Sequence, residues 1–227
     1  MLQTLLGSRT CAVAAVACAA LLAGCATPPA QRDYSAFRQA KPASILVLPP
    51  VNQSPDVNAT FSMLAQVTQP LAESGYYVMP VALVHQTFKE NGLHNPPEMH
   101  EVAPAKLREI FGADAAMYIQ VNRYGTTYTV LDSVAVVTAS AKLVDLRTGT
   151  ELWTGSASAS NNEGNNQGSG GLAAMLITAL VKQVLNSVTD ASHPVAGVTS
   201  MRLLSAGTPN GLLYGPRSPK YEKDGQR

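Results

Sequence analysis

Side chains able to act as bases, metal ligands or nucleophiles are few in this chain and mostly far apart. His94, Glu98, His100 and Glu101 form its one cluster of imidazoles and carboxylates, where a metal could sit or a proton could be exchanged. Zinc sites need defined spacing and supporting hydrogen bonds, whereas Pro96-Pro97 interrupts this stretch. The segment therefore reads as a solvated loop, with no metal and no catalytic residue expected. His85 falls on the polar side of its predicted helix and His193 precedes a proline, so neither suggests a base for a nucleophile. Ser156, Ser158 and Ser160 lack the Gly-x-Ser-x-Gly turn that exposes an activated serine. The glycines from Gly164 to Gly171 are not followed by the Gly-Lys-Ser/Thr of a phosphate loop, and no cofactor is expected.

One residue does carry a chemical expectation. Cys25 ends the sequence Leu22-Ala23-Gly24-Cys25, which follows a single basic residue, Arg9, and the uncharged apolar stretch from Cys11 to Leu22. That is the layout of a signal peptide, and the stretch falls well short of the ~20 residues a membrane-spanning helix needs. Small residues before the cysteine resemble a bacterial lipobox, where the signal peptidase cuts and the thiol receives diacylglycerol. Ala26 rather than Asp follows, which by resemblance to Gram-negative sorting implies the outer membrane. The domain is expected to face the periplasm, with the cell surface left open. Two or more acyl chains on Cys25 would hold the protein there without a basic patch. Cys11 and Cys18 would leave with the signal, so the folded part has no thiol for a disulfide, a nucleophile or a metal.

The 227 residues include 16 Lys or Arg and 15 Asp or Glu, with 46% apolar and 14% charged. That composition fits one modest domain, and the scattered, nearly balanced charge excludes nucleic acid as a main partner. The expected organisation is a signal peptide over 1–24, the lipidated Cys25 and a proline-bearing tether over 25–42, an α/β domain over 43–192, and a strap or tail over 193–227. Ser44 to Leu48 is a continuous apolar run, the mark of a strand buried on both faces. Helical spacing over Asn58 to Ser74, interrupted by Pro70, is followed by a strand at Tyr76 to Pro80 and a helix over Val81 to Asn91. This is a βαβα order with parallel strands. Pro104 opens another helix, which Gly112 closes, and strands follow over Ala115 to Tyr124, Val134 to Asp145 and Glu151 to Ala159. Gly155 to Gly171 reads as a flexible loop, and Leu172 to Val188 as the helix that covers the sheet. The fold class is α/β, a mixed sheet with packed helices.

The opening strand ILVLPP and the hairpin Leu143-Val144-Asp145, Thr148-Gly149, Leu152-Trp153 resemble the lipoproteins related to the TolB amino-terminal domain, among them CsgG and LpoB. With the lipobox and Gly211-Leu212-Leu213-Tyr214-Gly215-Pro216, the whole chain is similar to a family of outer-membrane lipoproteins first noted as a neisserial surface-antigen candidate. The resemblance implies a fold and an address, and assigns no activity. The expected function is a non-catalytic module that binds envelope proteins, with Leu212, Leu213 and Tyr214 as the docking residues and the membrane reached through Cys25. The alternatives are a subunit of an export channel and an envelope hydrolase. The oligomeric state is left open.

Overall fold

The apolar run that begins at Ser44 forms β1 (Ser44–Val47), with Ile45, Leu46 and Val47 wholly buried, as a strand covered on both faces requires. The computed structural model describes residues 32–128, 133–163 and 191–224. The signal peptide, Cys25, the glycine run 164–171 and the predicted helix 172–188 lie outside the described residues.

Among the described residues six strands make one mixed sheet in the order β3-β1-β4-β5-β6, with the short β2 also on β4. These are β2 (Val51–Asn52), β3 (Tyr77–Val78), β4 (Ala115–Tyr128), β5 (Ser133–Asp145) and β6 (Glu151–Ser160). β1 runs parallel to β3 and β4, whereas β4-β5-β6 is an antiparallel meander. A bulge between Val121 and Arg123 shifts the register of β4. It resets the pleat, so Met117, Ile119 and Val121 before it and Tyr124 after it all reach the same core.

Helices cover both faces. α2 (Ala59–Gln66) and α3 (Thr68–Glu73) follow β1 and add Met63, Leu64 and Leu71 to the core that holds Ile45, Met117 and Val137. The break between them at Val67 is the one Pro70 demands, because its ring has no N–H and would press on the carbonyl of Gln66. α4 (Val81–Glu90), α5 (Pro96–His100) and α6 (Pro104–Phe111) pack Val84, Phe88, Met99 and Leu107 against Leu46, Leu48 and Tyr118 on the other face. The result is the expected α/β sandwich on a mixed sheet.

Four boundaries differ from the sequence reading. The tether stops short of residue 42, because α1 (Ser35–Ala40) is helical and buries Phe37. Gly155 to Ser160 belongs to β6, where Gly155 leaves room for the Trp153 ring, whose nearest atom would lie 2.3 Å from a Cβ there. The supposed loop at Pro96 is α5, since a proline at the first helical position loses no hydrogen bond. The predicted tail opens with α7 (Ser192–Leu204), which packs on β5 and β6 through Val195, Ala196, Thr199 and Leu203. Its buried face is built largely of small and hydroxylated side chains, so no apolar stripe announces it. Thr199 Oγ1 donates to the carbonyls of Val195 and Val137 at 3.0 and 3.2 Å.

After α7 the chain straps back across the edge of the core. Gly215 N–H donates to Ser74 O at 2.9 Å and Arg217 N–H to Gly75 O at 3.1 Å. Gly75 has φ +98°, and a Cβ there would lie 2.5 Å from Ser218 N and 2.8 Å from Gly215 O. Gly75→Ala should therefore cost about 1–3 kcal/mol in denaturant unfolding through overpacking and φ strain. The same variant should expose the strap to limited proteolysis before the sheet melts.

Candidate functional site

Three aromatic side chains from separate elements hold the strap by donating to its carbonyls. Trp153 Nε1 donates to Asn210 O at 3.0 Å, Tyr34 Oη to Gly211 O at 2.5 Å and Tyr76 Oη to Leu213 O at 2.5 Å. Burial, with Asp224 and Tyr221 nearby, pushes the Tyr76 phenol far up, so it stays a neutral donor. Leu212 and Leu213, expected as docking residues, are 1% and 9% exposed and both complete the core. Tyr214 remains half-buried, and its N–H donates to Asp224 Oδ2.

Between α1 and the strap opens a cleft of about 440 Å3. Phe37, Tyr76, Leu213, Tyr214 and Tyr221 form its apolar and aromatic lining. Arg38 and Lys41 line it from the α1 side, Glu222 and Asp224 from the strap. Lys41 Nζ and Glu222 Oε1 meet at 2.8 Å across it, and both residues hold left-handed backbone, φ +44° and +59°. Of these residues only Leu213 and Tyr214 carried a functional expectation. The two aromatics Tyr34 and Phe37, three residues apart in a supposed tether, were the available signal.

The His94 to Glu101 cluster does not converge. His94, Glu98 and Glu101 are exposed, while His100 turns inward and donates from Nε2 to Pro49 O at 2.9 Å, its ring edge-on to Tyr118. Burial lowers the pKa of His100, the Pro49 carbonyl opposes that, and Lys142 adds to the lowering. Among the described residues no group of three or more His, Cys, Asp or Glu is arranged to hold a metal.

His193 has partners that no local pattern announced. Its Nδ1 lies 2.8 Å from Ser62 Oγ and its Nε2 lies 2.9 Å from Gln66 Nε2, while Tyr124 Oη donates to Ser62 Oγ at 2.8 Å. With the Gln66 amide donating to Nε2, the ring proton sits on Nδ1 and goes to Ser62. The serine oxygen then accepts two hydrogen bonds, the opposite of what an attacking hydroxyl needs. The group clamps α7 to α2 and β4.

Asp145 anchors the turn between β5 and β6. It is 2% exposed and accepts the N–H groups of Arg147 and Thr148 at 2.7 and 2.9 Å. Burial pushes its carboxyl up, but those N–H groups and the Arg147 guanidinium outweigh it and hold the pKa below the usual carboxylate range. Gly149, φ +73°, returns its N–H to Asp145 O and closes the turn.

A mixed sheet with helices on both faces, sealed by a carboxyl-terminal strap, defines an α/β fold in which the conspicuous polar side chains position backbone. A crystal structure of lipoprotein GNA1162 from Neisseria meningitidis shares this fold, with TM-score 0.53 and 56% identity over 64% of this chain and 100% of that one. The family model of GNA1162-like lipoproteins matches residues 32–217, and the chain belongs to that family. Lipoprotein NMB1124/NMB1162 of Neisseria meningitidis serogroup B (strain ATCC BAA-335 / MC58) is 52% identical over 185 residues, 82% of this chain and 85% of its own length. A fainter likeness, TM-score 0.38 and 16% identity, is to the LpoB C-terminal domain from Salmonella enterica, over 51% of this chain and 81% of that one.

His193→Ala should destabilise the protein by about 1–3 kcal/mol, because it removes the partner that Ser62 and Gln66 share, and Tyr76→Phe by about 1 kcal/mol; urea unfolding measures both. For Asp145 the folded pKa lies below the unfolded one, so its stabilisation is present above about pH 4 and is lost as pH falls through the folded value. The stability gap between the wild type and Asp145→Asn should accordingly be flat above pH 5 and narrow below pH 4. A gap that widens in acid would contradict this assignment.

Proposed function

We propose that this lipoprotein is anchored by lipid on Cys25 in the outer membrane, faces the periplasm, and works there by binding envelope proteins rather than by catalysis. One observation supports the non-catalytic reading. Among the described residues, four side chains with chemical potential are engaged in holding backbone or one another: Asp145 on its turn, His100 on Pro49, Tyr76 on Leu213 and His193 on Ser62. A reacting group must instead face the space a substrate occupies. With Leu212 and Leu213 in the core, docking moves to what lies outside it. Tyr214 beside the cleft is one candidate. Phe61, 56% exposed and edge-on to His85 at 5.3 Å, is another, with Val57 and Leu83 also exposed at 83% and 65%. The long β4 and β5 do not favour an export channel, because Tyr124, Ala135 and Val137 along them pack in the core.

The test places a photo-crosslinking residue at Phe61, at Tyr214 and, as a control, at exposed Glu109 in living cells. A specific envelope protein should crosslink at Phe61 or Tyr214 and be absent at Glu109. Fatty-acid labelling that disappears in Cys25→Ser checks the anchor independently. Purified protein that turns over a substrate, with turnover lost in His100→Ala while the fold persists, would replace the binding reading with the hydrolase.

A further inference from the structure

The cleft between α1 and the strap has a charge arrangement that the binding of a protein partner does not require. Its basic side chains, Arg38 and Lys41, come from one wall, and its carboxylates, Glu222 and Asp224, from the other. The Lys41–Glu222 pair shows that the two walls are apposed, and at 60% exposure of each side chain water screens it, so it opens readily. Arg38 lies one turn before Lys41, its guanidinium 5.9 Å from the centre of the Tyr34 ring and near the exposed Asp33. Asp224 lies two residues past Glu222, lines the cleft and uses Oδ2 for the Tyr214 N–H. Tyr76, Tyr214 and Tyr221 belong to the lining between them. The Tyr214 ring already carries an ammonium, Lys220 Nζ, 5.3 Å from its centre.

We propose that this cleft binds a small zwitterion of the phosphoethanolamine class, its anionic group on Arg38 and its ammonium on Asp224 and the tyrosine faces. A guanidinium takes a phosphate through two parallel hydrogen bonds. An ammonium gains from a carboxylate and from aromatic faces together. A simple anion would meet Glu222 and Asp224, and a simple cation would meet Arg38 and Lys41, so each half alone is disfavoured by the opposite wall. The volume lies within the range of small-molecule sites. The same chemistry is carried by a free metabolite and by a lipid headgroup. The headgroup source rests on the anchored reading above, since the eight residues from Cys25 to Asp33 reach at most ~29 Å when extended.

The experiment titrates O-phosphoethanolamine, inorganic phosphate and ethanolamine separately into the full chain in the uncharged detergent dodecyl maltoside, read by calorimetry. O-phosphoethanolamine should bind at least tenfold more tightly than either half. Arg38→Gln and Asp224→Asn should each weaken it at least tenfold with Tm unchanged. Micelles doped with phosphatidylethanolamine, but not with phosphatidylglycerol, displace the probe if the ligand is the lipid headgroup; without displacement the ligand is the free zwitterion. Phosphate binding as tightly as O-phosphoethanolamine, no binding at all, or affinity unchanged in both variants overturns the proposal. Fatty-acid labelling of Cys25 in the same preparation reads the anchor separately, so the two ideas fail independently.

Discussion

A segment without regular structure must still pair the carbonyl groups it buries, and the strap over residues 205–224, buried at Gly211 to Leu213 and at Gly215, meets that demand with side chains. Trp153, Tyr34 and Tyr76 each place an apolar ring in or against the core and a single donor on a strap carbonyl. The fold depends on this arrangement, because Leu212 and Leu213 complete the core that α2, α3 and α7 build on one face of the sheet. Close backbone approach between Gly75 and Gly215 sets the position, since neither has a Cβ to keep the chains apart. The cleft is a by-product of the same constraint, as its two walls are the segment before β1 and the strap itself.

Much of the sheet was legible. Ile45, Leu46 and Val47 form an apolar run, and Met117, Ile119 and Val121 alternate, so burial on two faces and on one is written directly in the residue pattern. What could not be read arises from contacts distant in sequence. Phe37 looks like part of a tether until the strap beside it is known. The α7 helix buries Ala196, Thr199 and Ser200, residues that signal little by themselves, and the proline after His193 reads as a break although the first helical turn accepts it. The pleat reset at the β4 bulge is likewise invisible locally, because Tyr124 follows the alternation only once the extra residue is counted.

The candidate site shows the same division. His94, Glu98, His100 and Glu101 stand close in sequence, yet α5 turns His100 inward and leaves the others outward. Ser62 and His193, separated by 131 residues, meet at 2.8 Å. Proximity in sequence was thus a poor guide to which polar groups cooperate. Where they do cooperate, the neutral Gln66 behind the imidazole, in place of a carboxylate, suits a clamp between helices better than a proton relay.

The contacts that hold the strap join residues 57 to 181 positions apart. A chain made amino end first cannot close these loops until the strap itself has emerged. Until then the core face that Leu212 and Leu213 cover stays open to solvent, and much of the loop-closure entropy falls due in one late step. Folding of this domain is thereby coupled to synthesis of the strap. A ribosome stalled or a protease acting ahead of the strap would release a molecule with its hydrophobic side unsealed.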